Sequence, residues 1–397
     1  MPVATKFLWK VTRRFYVLAI NSPKGQSLGL NGHLRFAAED SRLYTLSIFM
    51  LTRLQLKDFR CFESLSADLA PGFNFFVGAN GEGKTSILEA ACVLLRLQSQ
   101  RCATLAPLIR LGAKSFGVRG SSDGHAMEFG YGALHRRLRF DDVDQRIAIE
   151  YLRVARVVSL ANIDIEMVRG SSEARRRYLD FLGAQIDARY RPTLRAYERA
   201  LRSRNALLKS AQPRPRELAA YDKPLIEHGT LLRAMRAKMS GRLAPFISAA
   251  HAEISEAKEK IDIYFAPGNS DDFAADLAQS REKETRLRQT VVGPHRDDVD
   301  LFVEGMPATV YASEGQQRTL AVAMKIAQAR VLAEEGAPPL LLIDDIFGEL
   351  DPVRRNLLLG SLPANSQKLV TATTLHWREN FGDSTTFELQ DRQLRLL

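Results

Sequence analysis

A glycine-rich segment at residues 78–86 has the residue types and spacing of a phosphate-binding loop. It fits the pattern Gly-x-x-x-x-Gly-Lys-Thr at every fixed position. Glycines let backbone N–H groups approach phosphate oxygens, and a following helix N-terminus adds partial positive charge. We expect Lys84 to reach the β- and γ-phosphates of ATP and Thr85 to coordinate Mg²⁺. The nucleotide-binding residues predicted in this segment are Gly78, Ala79, Asn80, Gly81, Glu82, Gly83, Lys84, Thr85 and Ser86.

Two adjacent carboxylates, Asp344 and Asp345, follow the apolar run 340–343, where a Walker B motif belongs. We expect Asp344 to hold Mg²⁺, directly or through water, and Asp345 to orient or deprotonate an attacking water. Two acidic residues at the end of a strand can also belong to a plain surface turn. The phosphate-binding loop in the same chain favours the catalytic interpretation instead. The predicted catalytic residues are therefore Lys84, Asp344 and Asp345.

Residues 313–318, Ser-Glu-Gly-Gln-Gln-Arg, open a predicted helix before that strand. A serine hydroxyl at a helix start suits an anion, although a plain helix cap is the alternative. The order of these motifs resembles the ABC ATPase superfamily, in which the signature serine of one subunit contacts the γ-phosphate held by another. The resemblance implies that Ser313, Gly315 and Gln316 bind the nucleotide of a second copy. Glu349-Leu350-Asp351 resembles the D-loop at that interface, and a surface turn is its alternative.

The elements that must position these motifs alternate between strand and helix patterns. Short apolar runs at 73–77, 340–343 and 368–372 predict buried strands, and residues 315–335 predict a helix. Residues 117–158 favour β-structure. Residues 171–260 favour helices, which we expect Gln212-Pro213-Arg214-Pro215 and Lys223-Pro224 to interrupt. The predicted fold class is α/β, a P-loop NTPase of ABC ATPase type with a mixed sheet flanked by helices and a helical insertion lobe.

Composition limits the classes of partner and compartment. The net charge is +10, which favours polyanionic partners, but residues 1–49 hold seven basic and only two acidic residues and so carry half of it. The three cysteines have no metal-ligand spacing. No apolar run is long enough to span a bilayer or resembles a secretory signal. We expect a cytoplasmic protein without a membrane partner.

Several further segments resemble the RecF family of DNA repair ATPases, which is related to the SMC and Rad50 proteins. The resemblance begins at Met50 and runs nearly to the C-terminus. It implies that Arg60, in the segment 56–60, also binds the nucleotide. Residues 1–49 have no counterpart, so we expect a misassigned start or a dispensable leader. The segments that carry the resemblance, besides the P-loop, are 56–60, 168–180, 204–209 and, most distinctively, Gly293-Pro294-His295-Arg296-Asp297-Asp298.

The resemblance implies ATP-gated binding of DNA at single- and double-strand junctions by a homodimer. It also implies partners similar to RecR and RecO, which help to load RecA. This sequence departs from the residues usual in the family at Tyr221 and at Gly348. It also departs near the family's switch position, where it has Thr373 and Thr374, with His376 a little beyond. Candidate DNA contacts are Arg175, Arg176, Arg177, Arg202 and Arg204, with ion-paired helix surface as their alternative.

The predicted organisation has four parts. Residues 1–49 precede the fold, residues 50–170 form the first part of the ATPase lobe, 171–285 the helical lobe, and 286–397 the second part of the ATPase lobe. An SMC or Rad50 head is the alternative, but the chain between the two ATPase halves is too short for a coiled-coil arm. An ABC transporter subunit is a weaker alternative, because it lacks the segments 171–260 and 293–298.

Overall fold

The computed structural model describes residues 49–397 apart from 103, 123, 134–135, 147, 211–214, 256–258, 349–351 and 376–383. The strands are β1 (Arg53–Phe59), β2 (Phe62–Asp68), β3 (Phe73–Val77), β4 (Ser115–Ser122), β5 (His125–Gly132), β6 (Arg136–Phe140), β7 (Val143–Asp144), β8 (Val157–Ala161), β9 (Ile261–Ala266), β10 (Asp298–Val303), β11 (Met306–Pro307), β12 (Leu340–Asp344), β13 (Lys368–Ala372), β14 (Ser384–Gln390) and β15 (Gln393–Leu396). The α-helices are α1 (Lys84–Arg96), α2 (Ala148–Arg153), α3 (Glu166–Arg169), α4 (Ser172–Ile186), α5 (Tyr190–Leu208), α6 (Pro215–Ile254), α7 (Phe273–Gln279), α8 (Arg281–Leu287), α9 (Ala308–Tyr311), α10 (Glu314–Glu334) and α11 (Pro352–Ser361).

The strand that precedes the glycine-rich loop, β3, lies inside a sheet with the order β15-β14-β3-β13-β12-β8. Its pairings are parallel except for β15, which runs antiparallel to β14. Parallel strands covered on both faces read as continuous apolar runs, which is why 340–343 shows no polar alternation. Leu340 and Leu342 pack into one apolar core, whereas Leu341 and Ile343 pack into the other.

A second, antiparallel sheet covers one face of the first, with α1 packed against strands of both. Its order is β2-β1-β4-β5-β6-β7. The helix α1 contacts β1 and β4 of this sheet and β12 and β13 of the other. Its residues Leu88, Ala91, Leu94 and Leu95 are at most 4% exposed. A helix enclosed in this way is apolar around most of its circumference, and its N-terminus is held at the carboxyl edge of the parallel strands.

The other face of the parallel sheet carries α10 and the helical lobe built from α4, α5 and α6. One apolar core runs from Phe75 in β3 to Ile247 in α6. A small sheet, β11-β10-β9, packs beside these helices through contacts of β9 with α6 and of β10 with α4. The predicted lobe boundaries at 170 and 285 stay a prediction, because the apolar core is continuous across them.

The prediction that Lys223-Pro224 ends a helix is wrong. The helix α6 continues over 40 residues with Pro224 and Pro245 inside it. Leu225 and Leu232 are fully buried in the core that α5 and α6 share. Burial of this face outweighs the backbone hydrogen bond that a proline removes. The predicted break at 212–215 falls between α5, which ends at Leu208, and α6, which begins at Pro215; residues 211–214 lie outside the described residues.

The start of the described chain also differs slightly from the prediction. Phe49 is only 7% exposed and packs in the same core as Leu51, so the fold includes it. Residues 1–48 lie outside the described residues. Within the described part of the chain, no helix is long and apolar enough to cross a membrane.

Candidate nucleotide-binding site

The glycine-rich loop connects the end of β3 to the first residue of α1, and its backbone geometry requires glycine at two positions. A Cβ atom on Gly78 would lie 2.3 Å from the carbonyl oxygen of Leu389 in the neighbouring strand β14. Gly83 caps α1 with φ of 107°, and its Cβ atom would lie 2.5 Å from the Cys61 sulfur. Larger residues would displace the loop from β14 and from the β1–β2 turn, so these glycines fix its position above the sheet.

Lys84 is folded across this loop. Its Nζ atom donates hydrogen bonds to the carbonyl oxygens of Gly78 (2.6 Å) and Ala79 (2.9 Å) and to Asn80 Oδ1 (3.4 Å). Burial lowers the pKa of the Lys84 amine, and the nearby carboxylates Asp345 and Asp344 oppose that shift. The loop carbonyl oxygens accept the hydrogen bonds that phosphate oxygens would accept from Lys84, so the amine is already directed at the loop.

The two predicted carboxylates meet the P-loop at the carboxyl edge of the sheet. Thr85 Oγ1 donates to Asp344 Oδ1 at 2.8 Å, although 259 positions separate the two residues. Thr371 Oγ1 donates to the same oxygen at 2.7 Å and accepts a hydrogen bond from the Asp345 backbone N–H at 3.0 Å. Asp345 adopts a left-handed backbone with φ of 51°. This strained conformation turns the chain sharply just after β12.

Thr371 is a residue of this site that the sequence did not indicate. It lies in β13 directly opposite Asp344 of β12, and it is fully buried. The predicted strand at 368–372 contained the only available signal, a hydroxyl residue near its carboxyl end. Without the strand order, nothing indicated that this strand neighbours the one bearing Asp344.

A cavity of about 590 Å³ opens above this edge of the sheet. Arg60 lies in its wall and makes paired hydrogen bonds to Glu89, from Nε at 2.8 Å and from an amino nitrogen at 3.0 Å. The Glu89 carboxylate raises the pKa of Arg60. Glu82 accepts a hydrogen bond from the Arg392 backbone N–H at 3.0 Å, toward the β14–β15 turn. The cavity is lined by Arg60, Cys61, Asn80, Gly81, Gly83, Lys84, Thr85, Ser86, Arg101, Pro107, Ile109, Leu111, Asp344 and Asp345.

The predicted signature segment lies away from this cavity. Ser313 caps α10 by accepting from the Gln316 backbone N–H at 3.3 Å, and Gln316 Oε1 accepts from the Ser313 backbone N–H at 2.7 Å. The Gln316 amide also donates to Glu259. Ser313, Gly315 and Gln316 do not line the cavity of their own chain. Neither do Thr373 and Thr374, while His376 and the D-loop candidate 349–351 lie outside the described residues.

The donor set at Asp344 suits Mg²⁺. The described residues contain no group of three or more His, Cys, Asp or Glu side chains able to hold a metal. Mg²⁺ commonly binds through one or two carboxylates together with substrate phosphates, not through a full protein cage. One carboxylate and one hydroxyl at 2.8 Å beside a phosphate-binding loop match that chemistry.

Two of the predicted DNA contacts are wrong, because their side chains are buried. Arg204 is fully buried and bonds to Asp222 (2.9 Å), Glu284 (2.6 Å) and Thr290 (2.8 Å). Arg175 is 6% exposed and pairs with Asp298 at 2.6 Å. Both guanidinium groups are neutralised by carboxylates inside the protein, so neither is available to phosphate.

The other three candidates differ in exposure. Arg176 donates to Ser172 Oγ and to the Asp297 carbonyl, both at 2.7 Å. Arg177 pairs with Glu173, and Arg202 lies 3.7 Å from Glu198; both arginine side chains are 70% exposed. Only Arg177 and Arg202 are therefore well placed to meet an external partner.

The distinctive segment 293–298 organises the helical lobe. Asp297 is fully buried and accepts from Arg236 (3.0 Å) and from the Gly268 backbone N–H (2.8 Å). His295 Nδ1 lies 2.7 Å from the Tyr197 hydroxyl, and its Nε2 lies 3.0 Å from the Thr290 carbonyl oxygen. Burial lowers the pKa of His295 to about 4. The segment thus joins α5, α6 and the loop that follows β9.

The parallel sheet with a phosphate-type loop, the covering antiparallel sheet and the helical lobe define the class as a P-loop ATPase fold of ABC type. A family model described as the RecF/RecN/SMC N terminal domain matches residues 50–384. An SMC head from Pyrococcus furiosus shares this fold, with a TM-score of 0.52 at 15% identity, over 88% of this chain and 96% of that one.

The chain belongs to the RecF family. A protein of Symbiobacterium thermophilum named DNA replication and repair protein RecF is 36% identical in an alignment of 343 positions that covers 82% of this chain and 92% of the relative. The protein of the same name from Crocosphaera subtropica is 34% identical, in an alignment that covers 82% of this chain and 93% of that relative. A solved structure of the recombination mediator protein RecF-ATPrS in the RecFOR pathway superposes with a TM-score of 0.80 at 28% identity, over 88% and 98% of the two chains. The predicted fold class and family are confirmed.

Proposed function

We propose that this protein is an ATP-gated DNA-binding ATPase of replication and recombinational repair. ATP with Mg²⁺ binds at the P-loop, and two copies of the chain associate around the bound ATP and bind DNA. Hydrolysis of the ATP then releases the DNA. Support comes from relatives named for DNA replication and repair and from a similar recombination mediator structure named for its ATP-type ligand. Partners similar to RecR and RecO, acting toward RecA, are part of the proposal.

The observation that carries the proposal is the hydrogen bond between Thr85 and Asp344 at the mouth of the glycine-rich loop. Lys84, held by loop carbonyls, would exchange them for β- and γ-phosphate oxygens when nucleotide enters. Thr85 and Asp344 would hold Mg²⁺, which when bound supplies positive charge between the phosphates. Gly78, Ala79, Asn80, Gly81, Glu82, Gly83 and Ser86 would supply the loop backbone, and Arg60 one wall of the site.

Asp345 would orient the attacking water. Its backbone N–H is fixed by Thr371, and its left-handed conformation directs the chain away from β12 while the residue lines the cavity. A carboxylate in this position accepts a proton or a hydrogen bond from water as the nucleophile approaches. Thr371 acts through Asp344 and Asp345 and is a positioning residue.

A second copy would complete the site. Ser313, Gly315 and Gln316 lie at the start of α10, outside the cavity of their own chain. The helix start offers a serine hydroxyl and backbone N–H groups to an anion. Exposed residues near it, Val310 and Tyr311, are 71% and 63% exposed and suit burial against another chain.

The test measures affinity for a duplex with a single-strand junction in the presence of ATP, ADP or no nucleotide. We expect tight binding only with ATP, and loss of that response in Lys84→Ala, which removes the phosphate contact. Ser313→Arg should bind ATP but neither associate nor grip DNA. Ser66→Arg makes the same change at an exposed position of β2 and should behave as wild type. DNA affinity that ignores nucleotide would refute the proposal.

A further inference from the structure

The outward face of α5 carries basic side chains at helical spacing. Arg195, Arg199 and Arg202 of α5 and Lys209, which caps the end of the helix, are all exposed, and the residues between them that face inward are buried. Intervals of four, three and seven residues place them on one side of the helix. We call these four residues the α5 basic face. At about 1.5 Å per residue the face is about 21 Å long.

Little negative charge balances this face. No carboxylate of the described residues lies within ion-pair distance of Arg195 or Arg199. Arg202 lies 3.7 Å from Glu198, but both side chains are well exposed, at 70% and 47%. An exposed pair of this kind contributes little and leaves the arginine available. The buried Arg204 on the opposite side is neutralised by Asp222 and Glu284 and adds nothing to the face.

Positive charge continues from the start of α5 onto the antiparallel sheet. Arg191 lies between Arg195 on its own helix and Arg136 at the start of β6. Burial, followed by the charges of Arg195 and Arg136, lowers the pKa of Arg191 to about 10. Arg136 is exposed and lies over the Tyr131 ring, 5.4 Å from its centre. The positive charges of Arg191, Arg195 and Arg136 repel one another, and the negative charge of a bound polyanion would offset that repulsion.

We propose that the α5 basic face binds the phosphate backbone of duplex DNA. This inference rests on the proposed function, since it takes DNA binding as given and assigns a surface to it. Phosphates along one strand recur about every 3.4 Å of helix axis, so a 21 Å face spans about six of them. Contacts of this kind position DNA without selecting its sequence.

The composition of the face favours nucleic acid over an anionic membrane. No large apolar side chain of α5 is exposed. A helix that lies in a membrane interface buries apolar residues beside its basic ones. The α5 basic face offers guanidinium and ammonium groups alone, which is the chemistry of a phosphate-tracking surface.

The test uses the full chain with ATP and replaces three residues together, Arg195→Gln, Arg199→Gln and Arg202→Gln. Glutamine preserves helix propensity and length while removing charge. Duplex affinity should fall on the order of tenfold or more at about 100 mM salt. The slope of log affinity against log salt should become shallower by about 2.7, because each phosphate contact contributes about 0.9. ATP turnover without DNA should be unchanged, since none of the three residues lines the nucleotide cavity.

The matched control removes three charges from the antiparallel sheet, Arg53→Gln, Lys57→Gln and Arg119→Gln. Each of these side chains is about half exposed or more and faces a carboxylate. The control should keep wild-type affinity and salt slope. Wild-type behaviour of the α5 variant, or an equal loss in the control, overturns the inference and leaves the proposed function standing. Loss of binding to phosphatidylglycerol vesicles with unchanged DNA affinity also overturns it. If the wild-type protein binds no DNA with any nucleotide, both this inference and the proposed function are overturned.

Discussion

Replacement of Arg204 by methionine should destabilise the protein without changing its contacts with DNA. The Arg204 guanidinium is fully buried and bonds to Asp222 and Glu284, and the Glu284 side chain is itself fully buried. Arg204→Met leaves the Glu284 carboxylate inside the protein without its partner. Loss of one member of a buried ion pair costs about 3–5 kcal/mol. Any protein that remains folded should keep wild-type DNA affinity and salt slope.

Urea denaturation measures the free energy of unfolding of each variant. DNA affinity is measured separately, on the protein that remains folded. Arg202→Met, two residues earlier, is the matched control, because its side chain is 70% exposed and should change the unfolding free energy by less than about 0.5 kcal/mol. Adding Glu284→Gln to Arg204→Met should recover part of the loss, since it removes the unpaired charge. A stable Arg204→Met variant with weakened DNA binding would show that Arg204 is a surface contact and that the reasoning is wrong.

Three further perturbations test the site and the helical lobe. Thr371→Val should lower Mg²⁺ affinity or ATP turnover about 10–100-fold by releasing Asp344, and Thr371→Ser should restore it; equal activity of all three proteins would exclude a positioning role. Burial holds the pKa of His295 at about 4, below the ordinary 6.5. Between pH 6.5 and 4 the unfolded chain therefore binds a proton at this residue and the native state does not, so the free energy of unfolding should fall by up to about 3 kcal/mol over this range. His295→Gln, which retains a polar partner for Tyr197, should remove that part of the pH dependence, and an unaltered stability profile would contradict it. Pro224→Ala should stabilise α6 by about 1–3 kcal/mol in thermal unfolding, because it restores a helical hydrogen bond; a lower melting temperature would be the opposite result.

The sequence predicted features whose causes are local. The glycines at 78 and 83 are required by a turn a few residues long, so their spacing was enough to place the loop between β3 and α1. The apolar run 340–343 is typical of a strand buried on both faces, and the two carboxylates follow it in the structure as expected. The fold class followed from these motifs in their order, and the family followed from the further segments 168–180, 204–209 and 293–298.

Features that depend on distant residues were not predicted. Arg204 and Glu284 are 80 positions apart, and Arg175 and Asp298 are 123 apart. An arginine therefore looks the same in the sequence whether it lies on the surface or in a buried ion pair. Thr371 required the strand order, and the continuity of α6 through Pro224 required knowledge of what packs against it. The α5 basic face was hidden for the same reason, since only the packing of α5 separates Arg202 from Arg204.

The central claim is that ATP joins two copies of this chain, and the measurement that tests it most directly is the mass of the protein in solution. Asp345→Asn should slow hydrolysis and hold the ATP-bound state, since it removes the group that orients water. With ATP and Mg²⁺ we predict a species of twice the 44.4 kDa mass of one chain, and a single-chain mass with ADP or without nucleotide. Ser313→Arg introduced into that variant should restore the single-chain mass while one ATP remains bound per chain. A single-chain mass for Asp345→Asn with saturating ATP, or a double mass that persists without nucleotide, would contradict the account.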